Sequence, residues 1–159
     1  MVRKQVRIYT DGSCSPNPGR GGYGVLLIYG SHVRELSGGY RHTTNNRMEL
    51  LGPIRGLESL TEPCDVQLFS DSQYVVNGIM KGWAQRWRSN GWRRNRKESA
   101  ENHDLWEQLL TLCEKHTVRF EWIRGHNGHP ENERCDELAG AAARQENLPH
   151  DPVTTAALL

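Results

Sequence analysis

Several things are missing from this chain of 159 residues, and each absence removes a class of protein. No stretch approaches the roughly 18 consecutive apolar residues of a membrane-spanning helix. The opening MVRKQVRIYTDG has positive charges but no apolar run, so a secretory leader is not expected. No CxxC pair occurs among Cys14, Cys64, Cys113 and Cys135, and a chain of this size needs no disulfide staples, so reduced thiols in the cytoplasm are expected. No GK[ST] is present, which excludes a P-loop, and GSCSP is not the GxSxG of a nucleophile elbow. No repeat recurs at a solenoid period. Acid is missing from one place in particular. Residues 81–97, KGWAQRWRSNGWRRNRK, hold Lys81, Arg86, Arg88, Arg93, Arg94, Arg96 and Lys97 without one Asp or Glu. The net charge of the whole chain is only +1, so this basic segment sits on an otherwise acidic body, a pattern that fits a polyanionic partner.

What is present reads as one soluble, globular domain: 36% hydrophobic and 25% charged residues over a length that suits a single core. Alternating apolar residues and turn residues predict strands over 5–12, 22–30 and 32–42, with links short enough for an antiparallel meander. Leu50, Leu51, Ile54, Leu57 and Leu60 recur at helical spacing over 45–60. Pro53 falls inside that run, where it removes a hydrogen bond to the Glu49 carbonyl at a cost of roughly 3 kcal/mol, so a kink is expected. A strand over 64–72 ends near Asp71, with Ser70 or Ser72 available as the cap of the helix that follows. Short helices then carry Gln73–Met80 and Trp83–Ser89, residues 89–99 form a basic loop, and an amphipathic helix covers 103–115. A fifth strand over 117–125 and a last helix over 133–145 complete the domain; the tail 146–159, with two prolines, is expected to be loose. Strands first, then strand and helix in alternation, predict a mixed α/β sheet with helices on its faces.

Four acids stand at telling places: Asp11 and Asp71 at strand ends, Glu49 on an apolar helix, and Asp136 in the first turns of the last helix. A strand-end Asp is commonly a turn former, and four unrelated surface acids would explain the pattern. The alternative is convergence. If the strands bearing Asp11 and Asp71 are neighbours, both carboxylates project from one sheet edge. Crowded carboxylates repel unless a cation lies among them, and an all-oxygen set favours Mg²⁺, with Mn²⁺ as a substitute, over zinc. Zinc held by His126, His129 and Cys135 would lack a fourth soft ligand. The glycine-rich loop after Asp11 formally contains GxGxxG at Gly19, Gly21 and Gly24. It opens into the strand Val25-Leu26-Leu27-Ile28 rather than a helix, so it reads as a hairpin and not as a dinucleotide site.

The ordered set YTDGSC, NPGRGGYG, TTNNRMEL, SDSQYV, GW, NHDLW and GHNGHPENERCDELA resembles bacterial type 1 ribonuclease H over residues 5 to about 145. The resemblance implies a five-stranded ribonuclease H-like fold in residues 1–145, with a basic protrusion at about 81–99. It implies a monomeric endonuclease that cuts the RNA strand of RNA–DNA hybrids by two-metal-ion catalysis, leaving 5′-phosphate and 3′-hydroxyl ends. The acidic quartet falls on Asp11, Glu49, Asp71 and Asp136, and the catalytic-loop histidine on His126, where a group titrating near neutrality could move a proton. Asn17, Asn46 and Gln73 fall along the minor groove of the hybrid, where short polar side chains can read a 2′-hydroxyl. Thr44 falls in a pocket for a DNA-strand phosphate and Trp83 beside the DNA channel, while Arg86 and Arg88 supply affinity through counterion release. Trp87 reads as core packing. The sequence departs from the family pattern at Gly52-Pro53, just after the glutamate, at Gly140 in the last helix, and in a basic segment richer in tryptophan and arginine.

Overall fold

The computed structural model describes residues 2–93, 100–125 and 128–153. Strands β1 (Lys4–Cys14), β2 (Gly19–Tyr29) and β3 (His32–Thr43) form an antiparallel meander, because the links at 15–18 and 30–31 are too short for any other return. Helix α1 (Asn45–Glu58) crosses back, and β4 (Cys64–Ser70) then pairs with β1 on its free side, in parallel. After α2 (Gln73–Met80), α3 (Trp83–Ser89) and α4 (His103–Lys115), β5 (Thr117–Trp122) extends the sheet parallel to β4, and α5 (Pro130–Ala143) follows. The sheet order is β3-β2-β1-β4-β5, the mixed sheet that the element pattern predicts.

Period-two alternation divides the apolar residues between the two faces. Val6, Ile8, Val25, Leu27, Val66, Leu68 and Phe120 pack with Leu50, Ile54 and Leu57 of α1 and with Val75, Trp106 and Leu109 of α2 and α4. Tyr9 and Leu26 face the other way, onto Cys135 of α5, with Tyr9 stacked on Phe69 at 4.5 Å. Helices therefore cover both faces, as expected.

Helix α1 continues as one element across Pro53. Proline removes one main-chain bond there, but Leu50, Leu51, Ile54 and Leu57 are all 2% exposed or less, and burial on both sides of the proline holds the helix together. Gly52 belongs to the contact with the strand: a Cβ at that position would meet Thr10 Cβ at 3.1 Å, and one at Gly12 would meet the Glu49 nitrogen at 2.6 Å. This close approach of α1 to β1 sets Glu49 beside the end of β1.

Two expectations change. The last helix starts at Pro130 rather than at 133; proline fits the first turn because its missing N–H would have no partner there. The helix then runs through Gly140 to Ala143. The tail is not loose over 146–153. Leu148 and Asp151 are buried, the Arg41 amide donates to the Pro149 carbonyl at 2.8 Å, and Asp151 accepts from Thr43 Oγ1 at 2.7 Å.

Candidate active site

Parallel pairing of β1 with β4 sets Tyr9 opposite Phe69, so Asp11 and Asp71, each two residues further on, leave the same end of the sheet. Glu49 reaches that end from α1. Carboxylate oxygens of Asp11, Glu49 and Asp71 all lie within 4.8 Å of one another. Asp136, half-buried in the second turn of α5, stands on the flank, near enough to Asp11 to act on it by charge and hydrogen bonding. The structure thus brings together three of the four acids in one tight group, with the fourth beside them.

The turn at Asp71 is held from several sides. Trp122 Nε1 donates to the Asp71 carbonyl at 3.1 Å, the Ile123 amide donates to the Ser70 carbonyl at 3.0 Å, and the Ser72 amide donates to Ser70 Oγ at 3.1 Å. Ser72 rather than Ser70 caps α2, its Oγ accepting from the Val75 amide at 3.2 Å. Asp11 Oδ1 accepts from the Gly12 amide at 2.9 Å.

Burial and like charge make this group an uncomfortable place for three anions. Burial pushes the Asp11 carboxyl up to about 8, helped by the charges of Asp71 and Asp136. Burial, with the charges of Asp11 and Asp71, also raises Glu49 well above the usual carboxylate range. Glu49 Oε2 is buried and has no hydrogen-bond partner among the described residues. A buried carboxylate oxygen without a donor is costly, and a hard divalent cation among these oxygens would relieve both the desolvation and the repulsion. The donor set fits such an ion.

Beside this cluster the residues assigned to substrate binding fall into two groups. Asn17, Thr44, Asn45 and Asn46 line a cavity of about 620 Å³ together with Arg47, Glu101 and Asn102. Thr44 caps α1 by accepting from the Arg47 amide, and Asn17 Oδ1 accepts from the Asn45 amide at 3.1 Å, tying the hairpin loop to the helix start. Gln73 is exposed at the start of α2, two residues from Asp71. Further along, Trp83 opens α3, with the Lys81 ammonium 5.4 Å from its ring, and Arg86 is exposed.

Arg88, expected among the substrate-binding arginines, is committed elsewhere. It donates to both carboxylate oxygens of Glu107 at 3.0 Å and to Glu114 at 3.1 Å, so it braces α3 against α4. Trp87 packs edge-on against the buried Trp106 at 6.1 Å. His126, like Arg94, Arg96 and Lys97 of the basic segment, lies outside the described residues.

Two participants escape sequence reasoning. A Cβ on Gly125 would meet Asp71 Oδ2 at 2.6 Å, so the chain leading to His126 runs directly against the cluster. The Gly-His pair at 125–126 is the only sequence trace of that approach. Asn102, in a left-handed conformation with φ of 59°, lines the cavity with Thr44; an Asn just before an apolar-periodic helix is the cue the sequence offers.

Comparison with known proteins agrees with this geometry. The RNase H family model matches residues 3–144. The chain is 66% identical over 148 residues to the ribonuclease H of Desulforamulus reducens, covering 93% of each chain. It is 59% identical over 138 residues to the ribonuclease HI of Synechocystis sp., covering 86% of each. Among solved structures it resembles LC9-RNase H1, a type 1 RNase H with the type 2 active-site motif. That likeness has a TM-score of 0.81 at 32% identity, over 90% of this chain and 74% of the other. A family match across nearly the whole described fold, with relatives this similar, makes the chain a member of the RNase H family.

Proposed function

We propose that this protein is a metal-dependent endonuclease that hydrolyses the RNA strand of RNA–DNA hybrids, with Mg²⁺ as its ion and Mn²⁺ as a substitute. The observation that carries this reading is the convergence of Asp11, Glu49 and Asp71 within 4.8 Å, with a buried Glu49 oxygen that has no donor among the described residues. These three residues would hold the metal, with Asp136 on the flank. When bound, a divalent pair supplies an ionised attacking water and a counter-charge for the departing 3′-oxygen. The chain itself provides the rest. The bonds from Trp122 and Ile123 keep the Asp71 turn in place, so the carboxylates are oriented before substrate arrives. His126, next to Gly125, moves a proton during attack or product release.

Selectivity for a hybrid requires recognition of both strands. Asn17, Asn46 and Gln73 offer short donors and acceptors for a 2′-hydroxyl in a wide minor groove. Thr44 grips a phosphate of the DNA strand, and Trp83 and Arg86 flank its path. Four free thiols suit a reducing compartment such as the cytoplasm.

Matched RNA–DNA hybrid, double-stranded RNA and double-stranded DNA, each incubated with and without Mg²⁺, test the proposal. The expected result is cleavage of the RNA strand in the hybrid alone, only with the metal, giving 5′-phosphate and 3′-hydroxyl ends. Cleavage in chelator, or equal cleavage of all three duplexes, would overturn it.

A further inference from the structure

The C-terminal segment reaches the substrate-binding edge through one carboxylate. Asp151 is fully buried, and its Oδ2 accepts from Thr43 Oγ1 and from Arg47 Nε, both at 2.7 Å. Thr43 and Arg47 bracket Thr44, Asn45 and Asn46, which with Arg47 itself line the cavity of about 620 Å³. A single oxygen therefore clamps both ends of the stretch that faces the cavity. Val153, whose amide donates to Asp151 Oδ1 at 3.1 Å, lines the same cavity.

The clamp continues on the other side of Arg47. Its guanidinium donates to both oxygens of Asp104 at 2.9 and 2.8 Å, and to Asn102 Oδ1 at 3.2 Å. Asn102 in turn donates to the Tyr74 hydroxyl at 3.2 Å. Arg47 is only 3% exposed and already faces two carboxylates, so its charge holds the protein together and is not presented to phosphate. Without Asp151, the guanidinium would be drawn to Asp104 alone, and Thr43 would lose its anchor.

We propose that Asp151 is a positioning residue for hybrid binding: residues 146–153 act as a strap that fixes the 43–47 turn, and with it Thr44 and Asn46, in the shape that grips substrate. This rests on the functional reading above.

The test measures wild type, Asp151→Asn and Thr43→Val for binding of a fluorescently labelled hybrid in chelator, for KM and kcat in Mg²⁺, and for thermal stability. Asp151→Asn should weaken binding and raise KM roughly five-fold, the scale of coupling between residues of one network, while kcat stays within about two-fold. Thr43→Val removes one of the two bonds to Oδ2 and should shift binding in the same direction by less, which keeps the test decisive if Asp151→Asn fails to fold. A purely structural strap would lower the melting temperature and the apparent kcat with binding and KM unchanged, and that result overturns the proposal. If wild type neither binds nor cuts the hybrid, the functional reading fails first and takes the proposal with it.

Discussion

Two residues apart on helix α1, Arg47 and Glu49 sit in two buried groups of carboxylates that are electrostatic opposites. Around Arg47, Asp104 and Asp151 find a guanidinium that satisfies both, and the Asp104 carboxyl is held below its usual range by Arg47 despite the opposing effect of burial. Around Glu49, the carboxylates of Asp11 and Asp71 crowd within 4.8 Å; burial and repulsion raise Asp11 and Glu49, and one Glu49 oxygen has no donor among the described residues. The first group carries its own counter-charge and serves as structure. The second crowds acids of one sign at the edge of the sheet, an arrangement that suits a divalent cation taken from solution.

The contrast can be broken from either side. The largest effect is expected at the crowded acidic group. Asp11→Asn or Asp71→Asn should lower hybrid cleavage in Mg²⁺ by about three orders of magnitude, the several kcal/mol that metal-stabilised charge contributes, while circular dichroism shows an intact fold. Near-normal turnover in either variant would refute the metal assignment.

At the self-contained group the loss should be in stability. Arg47→Ala leaves the fully buried Asp151 without its cation and should cost about 3–5 kcal/mol in denaturant unfolding. Gly125→Ala should slow turnover roughly ten-fold by pushing a methyl group against Asp71 Oδ2, with little change in melting temperature, measured by steady-state kinetics alongside a thermal scan.

The smallest of these effects is a change of sign. Asp11 is raised from 3.8 to about 8 in the folded protein, so the metal-free fold binds more protons at this site than the unfolded chain does. Its contribution to stability is present in full below about pH 4 and is lost as pH rises through about 8. Asp11→Asn should therefore stabilise the metal-free protein near pH 8 by at least about 1 kcal/mol, whereas Arg47→Ala destabilises it at the same pH. Urea titration in chelator at pH 5 and pH 8 measures both.

Much of the first group was legible in the sequence because its parts are marked locally. Asp11 and Asp71 close alternating apolar runs, and parallel neighbouring strands bring such ends together. Glu49 was harder, because Gly52-Pro53 looks like an interruption; the glycine is what allows α1 onto β1, and only the packed strand reveals that. The second group was hardly legible at all. Asp151 lies in a proline-containing tail with no periodic pattern, and its partners Thr43 and Arg47 are more than 100 residues away. Arg88 shows a related limit: the sequence places it in a basic run, and only the fold shows Glu107 and Glu114 of another helix beside it. The start of α5 is hard to see in the sequence because Pro130 looks like part of the preceding loop, although proline suits the first turn of a helix.

The most direct measurement is calorimetric titration of the metal-free protein with Mg²⁺ at pH 7, run in two buffers of different ionisation enthalpy. The account predicts that binding releases protons from the carboxyl cluster, so the heats differ between buffers, and that Asp11→Asn abolishes both the binding and the difference. Identical heats in the two buffers, or undiminished Mg²⁺ binding by Asp11→Asn, would contradict it.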